Sequence, residues 1–346
     1  MSYTNGLDKP TDYFNTVLYT GTGSSQTPSN GWRPDLSVIK VRSLGTQGWV
    51  WSDRVRGDEK TLKSNGSDAE ETRPNAFSGW TSDGITVVSE GRTNSSGETY
   101  ANWNWLASGG TASSNTDGSI TSSVSANTTA GFSIVSYTGT GSNATVGHSL
   151  NSSPEIILLK NRSTTTGWNV GSDYLSSWEK VLELQSTNAE STSANKFNST
   201  APTSSVFSVG TGSGSNGSGN NIIAYCFHSV KGYSKIGSYT GNGNADGTFV
   251  YTGFKPSWVM IKRTDSSNEW LMFDNKRSDL NVVNELLRAN NSAAELTTDD
   301  YLDFTAQGFK IRRSAPDSNA SGGTYIYMAF AENPFVTSTG IPTTAR

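Results

Sequence analysis

One short pattern, Tyr-Thr-Gly-x-Gly, occurs three times in this chain and constrains its fold more than any other feature. The copies begin at Tyr19, Tyr137 and Tyr239. Each is followed by a proline, and a lysine comes six residues after that proline, with β-branched or large apolar residues between them. A stretch of this kind is typical of a β-strand opened by proline, where the missing N–H does least harm. Ordered matches of this kind indicate an internal repeat.

Four residue types, including this lysine, recur at matching places downstream of each copy. They are a lysine (Lys40, Lys160, Lys262), a tryptophan (Trp49, Trp168, Trp270), an aspartate (Asp53, Asp173, Asp274) and a glutamate (Glu70, Glu190, Glu295). We interpret the set as structural, with tryptophans in the cores and charged groups in salt bridges or turn caps, because it recurs together with prolines and glycines that the fold needs. The alternative is a sugar- or calcium-binding site repeated in each copy.

The repeat divides the chain into segments, most of which contain short strands bounded by Gly, Asn, Ser and Pro. The predicted units are an N-terminal attachment segment (1–12), a first repeat (13–110), a linker rich in Gly, Ser, Thr and Asn (111–131), a second repeat (132–231), a third repeat (232–335) and a C-terminal tail (336–346). This pattern predicts an all-β fold of three tandem, antiparallel, jelly-roll-like β-sandwiches. About 100 residues are enough to bury one sandwich core, so each repeat is expected to be able to fold alone. The best helical periodicity, over 279–289, allows one short helix.

Charge and composition exclude several functional classes. The chain has 26 basic and 30 acidic residues and a net charge of −4, so it has no electrostatic footprint for nucleic acid or an anionic membrane. Its longest aliphatic run, 156–159, is far shorter than the roughly 18 residues of a membrane helix. The single cysteine, Cys226, excludes an intrachain disulfide and a cysteine-based zinc cluster, and we expect it to be a small buried hydrophobe.

The sequence contains no constellation that predicts an enzyme. There are only two histidines, His148 and His228, no activated serine motif, and no lysine or helix after the glycines at 20–23 that would make a phosphate loop. We therefore predict no catalytic residue, no cofactor and no metal site. Trp178 replaces the charged Asp58 of the first repeat, so we expect it to be exposed and to contact a neighbouring subunit or, alternatively, a sugar face.

Several motifs of the repeat are specific as a set. They are the Tyr-Thr-Gly-x-Gly start, the Pro-x5-Lys strand with its downstream Trp and Asp, the Leu-x-x-Asn and Ala-Glu block, the Asn-x-x-Gly-x-x-Tyr ending, and the leader at 6–10. With them the chain resembles a module of marine bacteriophage virion proteins over nearly its whole length. The second repeat departs from the pattern, because it lacks the aromatic-basic-proline step that is present at 32–34 and 254–256.

The resemblance implies a non-catalytic structural protein located in the virion. The first expected role is a tail fibre or tail-associated appendage in host adhesion; the alternatives are a capsid decoration or head-fibre protein, and a depolymerase of surface polysaccharide. The implied partners are other virion proteins of the tail, the portal region or the capsid, together with a host surface glycan. A homo-oligomer is expected, with a trimer as the form common among phage appendages. Neither nucleic acid nor a membrane is an expected partner.

Overall fold

The computed structural model describes residue 4 and residues 6–343. Residues 1–3 and 5 of the predicted attachment segment and residues 344–346 of the tail lie outside this range. The chain is all-β, as predicted, and its strands pair antiparallel within each sheet. In the described part of the chain, no helix has the length and apolar character that crossing a membrane requires.

Sheet 1 follows a short 3-10 helix, Pro10–Asp12. It consists of β1 (Phe14–Thr20), β2 (Leu36–Val41), β3 (Val50–Asp53) and β8 (Thr99–Trp105). The smaller strands β4 (Lys60–Thr61), β5 (Glu71–Thr72), β6 (Phe77–Thr81) and β7 (Gly84–Val87) lie between β3 and β8 in sequence. The spatial order in sheet 1 is β1-β8-β2-β3, while β4 pairs with β5 and β6 with β7.

Sheet 2 consists of β9 (Ser113–Asn115), β10 (Ser122–Asn127), β11 (Phe132–Thr138), β13 (Ile156–Asn161), β14 (Asn169–Ser172) and β18 (Asn221–Phe227). The smaller elements are β12 (Ala144–Gly147), β15 (Lys180–Val181), β16 (Ser191–Thr192), α1 (Ala194–Phe197), β17 (Val206–Val209) and α2 (Ser213–Asn216). The order in the sheet is β14-β13-β18-β11-β10-β9, while β12 pairs with β17 and β15 with β16.

The predicted linker at 111–131 contains two strands of sheet 2, β9 and β10, so that prediction is wrong. Strand β10 pairs along its length with β11, from Ser122 opposite Tyr137 to Asn127 opposite Phe132. Val124 is buried on one face of this pairing. The small polar residues that suggested flexibility are thus used in a ladder whose backbone groups are hydrogen-bonded.

Sheet 3 consists of β19 (Ser234–Thr240), β21 (Phe254–Arg263), β22 (Trp270–Asp274), β23 (Leu287–Arg288) and β26 (Thr324–Pro334), in the order β19-β26-β21-β22-β23. A smaller sheet contains β20 (Phe249–Tyr251), β24 (Leu302–Thr305) and β25 (Gly308–Ile311), in the order β20-β25-β24. The helix allowed over 279–289 does not form. Instead, the N–H of Val283 donates to the Leu302 carbonyl at 2.7 Å and pairs this segment with its neighbour.

Four strands have the same spatial order in all three sheets: β1-β8-β2-β3, β11-β18-β13-β14 and β19-β26-β21-β22. Successive side chains of a strand point to opposite faces, so each sheet has an inner and an outer face. Along β8, Trp103 and Trp105 face inward, whereas Tyr100 faces outward and packs with Phe77 and Ile85 of the β6–β7 pair. Smaller strands cover the outer faces of sheets 2 and 3 in the same way.

The inner faces of the three sheets share one apolar core. Aromatic rings connect every pair of sheets, with centroid distances of 6.4 Å for Trp105–Phe227, 4.9 Å for Phe14–Phe330 and 6.1 Å for Phe227–Phe330. Leu7 of the predicted attachment segment is buried in the same core and is therefore a part of the fold. The expected string of modules with separate cores is corrected in this respect: the apolar inner face of each sheet is kept from water by the other two sheets.

Candidate functional site

Three junctions connect the sheets in cyclic order, and the recurring glutamates mark them. We name them junction 1–2, junction 2–3 and junction 3–1 after the sheets that they join. At each junction the backbone N–H of the glutamate donates to a carbonyl of the next sheet. The three bonds join Glu70 to Arg162 at 2.9 Å, Glu190 to Thr264 at 2.8 Å and Glu295 to Arg42 at 2.8 Å. The chain thus closes on itself, because sheet 3 binds sheet 1 as sheet 1 binds sheet 2.

The recurring tryptophans are buried at the same junctions. Their indole N–H groups donate across the junction to a backbone carbonyl of the preceding segment in the cycle. The acceptors are Arg288 and Asn291 for Trp49 (both 3.0 Å), Lys63 for Trp168 (2.8 Å) and Glu183 for Trp270 (3.1 Å). Each tryptophan therefore fills the core and also donates a hydrogen bond to a backbone carbonyl of the neighbouring segment.

The recurring lysines are fully buried, with side chains that end among backbone carbonyls. The ammonium groups of Lys160 and Lys262 reach across their junctions to the carbonyls of Ser67 at 3.2 Å and Thr187 at 3.1 Å. Lys40 donates to the Val41 carbonyl at 2.8 Å. Burial disfavours the charged form, and it lowers the pKa of each of these lysines to about 8.

A buried charge network lies at junction 1–2. The Asp53 carboxylate accepts hydrogen bonds from the Arg56 guanidinium and, at 2.8 Å, from the Tyr225 hydroxyl of sheet 2. Arg56 also donates to Glu70 at 3.2 Å. Arg162 of sheet 2 approaches the same Glu70 from the other side, with Nε at 2.8 Å. Burial by itself would lower the pKa of Arg56, but the charge of Asp53 and its neighbours outweighs burial and raises it.

Junction 3–1 repeats this network. Asp274 accepts from Arg277 at 2.6 Å and from the Trp103 indole of sheet 1 at 3.0 Å. Glu295 accepts from Arg277 at 2.9 Å and from Arg42 of sheet 1 at 2.6 Å. The recurring aspartate and glutamate are thus two anionic positions that hold two guanidinium groups. The arginines were not among the predicted residues, although the spacing Asp-x-x-Arg at 53–56 and 274–277 is a signal for them.

Junction 2–3 departs from this pattern at the aspartate. The strand registers place Asp53 opposite Leu36 and Asp274 opposite Trp258, whereas Ser172 lies at the corresponding place opposite Ile156. Asp173 is therefore one residue beyond the place predicted for it, and it is exposed. The predicted correspondence of Asp173 with Asp53 and Asp274 is corrected here, because the second segment has one additional residue after β14.

Trp178 is buried, with 7% of its surface exposed, so the predicted surface contact is wrong. Its ring packs edge-on against Phe197 at 5.4 Å, and its indole N–H donates to Asp173 at 2.8 Å. Gly171 leaves the space for this ring, since a Cβ at that position would lie 2.6 Å from it. Trp178, which replaces a charged residue of the first repeat, thus extends the apolar core on the outer face of sheet 2.

The other members of the charge network are also replaced at junction 2–3. Leu175 follows Ser172 by three residues, as Arg56 follows Asp53, and it is buried in the shared core. Thr264 stands at the place of Arg42 and Arg162, and Met328 at the place of Trp103 and Tyr225. A cleft of about 480 Å³ opens at this junction, lined by Tyr174, Leu175, Ser176, Glu190, Ser238, Tyr239, Thr240, Thr264, Asp265, Thr324 and Tyr325.

One protein family matches residues 9–334, a range that contains the three sheets and their junctions. The chain belongs to the DUF7483 family. This family is described as a domain of unknown function. A search of curated proteins gave no match for the DUF7483 chain.

Two other reactive side chains of the DUF7483 domain, Cys226 and His148, are enclosed. Burial raises the pKa of the Cys226 thiol to about 12. His148 is fully buried, its Nε2 lies 3.1 Å from the Thr203 carbonyl, and burial lowers its pKa. Within residues 6–343, His, Cys, Asp and Glu side chains form no group of three or more that could hold a metal ion. The cleft at junction 2–3 is therefore the candidate functional site, and its polar lining is suited to binding.

Proposed function

We propose that this chain is a non-catalytic structural protein of a bacteriophage virion that acts in host adhesion within a tail fibre or tail-associated appendage. The motifs that resemble virion modules support the proposal from the sequence. In this proposal, sheets 1, 2 and 3 with their covering strands are three β-sandwich repeats of one ancestral unit. The observation that carries it is the cyclic set of junctions, which joins three similar sheets into one body.

A closed cycle of junctions suits a protein that has to keep its shape outside a cell. Segments that open locally are those with few buried contacts, and such segments are where proteases cut. Here two ion pairs, Asp53–Arg56 and Asp274–Arg277, are buried within their own segments at the junctions, and the core extends through all three sheets. The chain is then a short rigid body rather than an extended string, so the length of the appendage would come from neighbouring proteins.

The adhesive surface in this proposal lies on β20, the edge strand of the small sheet over sheet 3. Phe249 and Tyr251 are 47% and 56% exposed there, on alternate positions of the strand. Aromatic rings stack on the apolar faces of sugars, which suits the recognition of a surface glycan. Phe249→Ala and Tyr251→Ala are therefore expected to reduce binding to host cells without changing the fold.

Capsid decoration is a second candidate, and the cyclic junctions favour it specifically. A shell has threefold axes that present three equivalent surfaces, and closed symmetric contacts are the rule in such assemblies. A single chain with three similar sides can meet all three surfaces at once. A decoration protein would then need one copy for each axis rather than a trimer.

Electron microscopy of purified virions, with the chain marked by an antibody fragment, distinguishes these functions. Density on the tail together with host-cell binding by the purified protein supports the adhesion role. Density on the shell at threefold positions supports decoration instead. Release of reducing sugar from host polysaccharide by the purified protein would support a depolymerase, and absence of the chain from virions would contradict the proposal as a whole.

A further inference from the structure

The guanidinium of Arg162 has a defined place at junction 1–2. Its Nε and Nη2 donate to the two carboxylate oxygens of Glu70 at 2.8 and 2.9 Å. Its Nη1 donates to the hydroxyl of Ser136 at 3.2 Å. A two-point contact between a planar guanidinium and a carboxylate is among the strongest and most specific polar contacts in proteins.

Junction 2–3 retains both acceptors of this place but not the arginine. Glu190 corresponds to Glu70, since its N–H makes the same backbone bond across the junction. Ser238 corresponds to Ser136, because it lies opposite Ile326 in sheet 3 as Ser136 lies opposite Ile223 in sheet 2. Thr264 replaces the arginine, and its short side chain bonds instead to Thr324 at 2.7 Å. The space that a guanidinium fills at junction 1–2 is here the cleft.

Glu190 has also lost its second cation. Glu70 and Glu295 each accept from a buried arginine of their own segment, at 3.2 and 2.9 Å, whereas Leu175 stands at that place beside Glu190. In the described part of the chain, the hydrogen-bond partner of the Glu190 carboxylate is Ser176, through its hydroxyl and its N–H. The recurring glutamate therefore binds two guanidinium groups at junction 1–2 and at junction 3–1, and none at junction 2–3.

The remainder of the lining is aromatic and polar. Tyr239 and Tyr325 stack on each other at 4.8 Å and border the cleft, and the guanidinium of Arg263 lies 5.9 Å from the centroid of the Tyr325 ring. Asp265 adds a second carboxylate, and Arg263 donates to it at 2.7 Å rather than to Glu190. Burial, followed by the negative charge of Glu155, raises the pKa of the nearby Tyr174 to about 12.

We infer that the cleft at junction 2–3 binds a guanidinium group supplied from outside the chain, with Glu190 as its two-point acceptor and Ser238 as its third contact. The group comes from a small molecule that carries a guanidinium or from an arginine side chain of another protein. The inference is independent of the proposed virion function, because it depends only on the difference between the three junctions. Arginine is preferred over lysine, since an ammonium lacks the planar fork that matches a carboxylate.

The binding test is a titration of the full chain with N-acetyl-L-arginine methylamide, followed by NMR chemical shifts. The matching citrulline and lysine derivatives serve as controls, because citrulline keeps the shape without the charge and lysine keeps the charge without the fork. Shifts are expected at Glu190, Ser238 and Tyr325, with binding in the millimolar range typical of one partly exposed ion pair. Equal binding of the citrulline derivative, or no shift at the cleft, would overturn the inference.

Two variants test the site from opposite directions. Glu190→Gln removes the acceptor and is expected to weaken arginine binding at least tenfold, whereas Glu179→Gln, an exposed carboxylate outside the cleft, should leave it unchanged. Thr264→Arg restores the chain's own guanidinium, as at the other two junctions. It is expected to abolish binding of the added ligand and to raise the melting temperature. A Thr264→Arg variant that folds and still binds the arginine derivative with unchanged affinity would contradict the assignment.

A second titration separates the two sources of the guanidinium. A short peptide with one arginine between glycines and blocked ends is compared with n-butylguanidine, a small guanidinium with neither a peptide backbone nor a second charge. Tighter binding of the peptide indicates an arginine side chain of a partner protein, because its backbone gains contacts along the cleft. Binding of butylguanidine at least as tight as that of the peptide indicates a small-molecule ligand. Failure of both, together with failure of the methylamide, contradicts the inference while leaving the location of the chain in a virion unaffected.

Discussion

Arg162 and Glu70 lie 92 residues apart in sequence and form a two-point ion pair across junction 1–2, with Nε 2.8 Å from one carboxylate oxygen. The same carboxylate accepts from Arg56, whose side chain is fully buried. Glu70 therefore compensates a cation that has been removed from water. Its counterpart Glu295 does the same for Arg277 at junction 3–1.

Glu70→Gln and Glu295→Gln are each expected to lower the free energy of unfolding by about 3 kcal/mol, because removal of one partner leaves a buried guanidinium without its full compensation. Glu190→Gln is the matched control. It has no guanidinium partner among the described residues, so its cost is expected to stay below about 1 kcal/mol. Urea unfolding of the three variants measures the difference. Equal losses for all three would contradict the account of the junctions.

Unfolding of the whole chain is expected to be one cooperative transition. The inner face of each sheet is covered by the other two, so no sheet keeps its core when a neighbour opens. The isolated segment 132–231 would expose Phe132, Tyr225 and Phe227, and we expect it to show no cooperative thermal transition. Calorimetry provides the test: agreement of the calorimetric and van't Hoff enthalpies for the full chain supports a single unit. Three separate transitions would favour independent modules.

The sequence predicted the all-β class, because short alternating strands bounded by turn residues are a local signal. The shared core could not be found in this way. A strand shows the same alternation of apolar and polar residues whether its sheet packs on a sister sheet or on strands of its own module. At 111–131 a composition of small polar residues concealed two strands: β10, which pairs with β11, and β9, which pairs with β10. Asp173 was displaced by a single additional residue, which only the strand register reveals. Trp178 is buried because it packs against Phe197, a contact that no local pattern indicates.

For the candidate site, the glutamates were visible in the sequence and their surroundings were not. Glu190 aligned with Glu70 and Glu295. The loss of its cations required knowledge of which residues lie beside it, both in its own segment and across the junction. Those residues, Thr264 and Leu175, come from different sheets, and no linear spacing connects them.

Cys226 is expected to be unreactive in the folded chain. It is fully buried in β18, and burial raises its pKa to about 12, so almost no thiolate is present near neutral pH. Modification by a thiol reagent should therefore occur only after unfolding, at the same rate as loss of tryptophan fluorescence. Full reaction within the mixing time in native buffer would show that sheet 2 opens locally, which a shared core does not allow.

We expect the three buried lysines to give the chain a stability maximum at alkaline pH. Burial lowers the pKa of Lys40, Lys160 and Lys262 from 10.5 to about 8. Below about pH 8 these lysines are protonated in both states and contribute no pH dependence. Between about pH 8 and 10.5 the unfolded chain binds more protons than the folded one, so the free energy of unfolding rises with pH, by roughly 1 kcal/mol per pH unit for each lysine.

Buried tyrosines act in the opposite direction at higher pH. Burial raises the pKa of Tyr19, Tyr137, Tyr225, Tyr233 and Tyr239 well above 10.0. Above about pH 10 these groups ionise only in the unfolded chain, which then binds fewer protons, and stability falls. The maximum is therefore expected near pH 10. Urea unfolding from neutral pH to about pH 11 should show this maximum. Lys160→Met should remove about a third of the rise in the free energy of unfolding. The control Lys231→Met, at an exposed lysine, should leave the rise intact. A stability that decreases steadily from pH 8 upward would contradict the assignment of neutral, buried lysines.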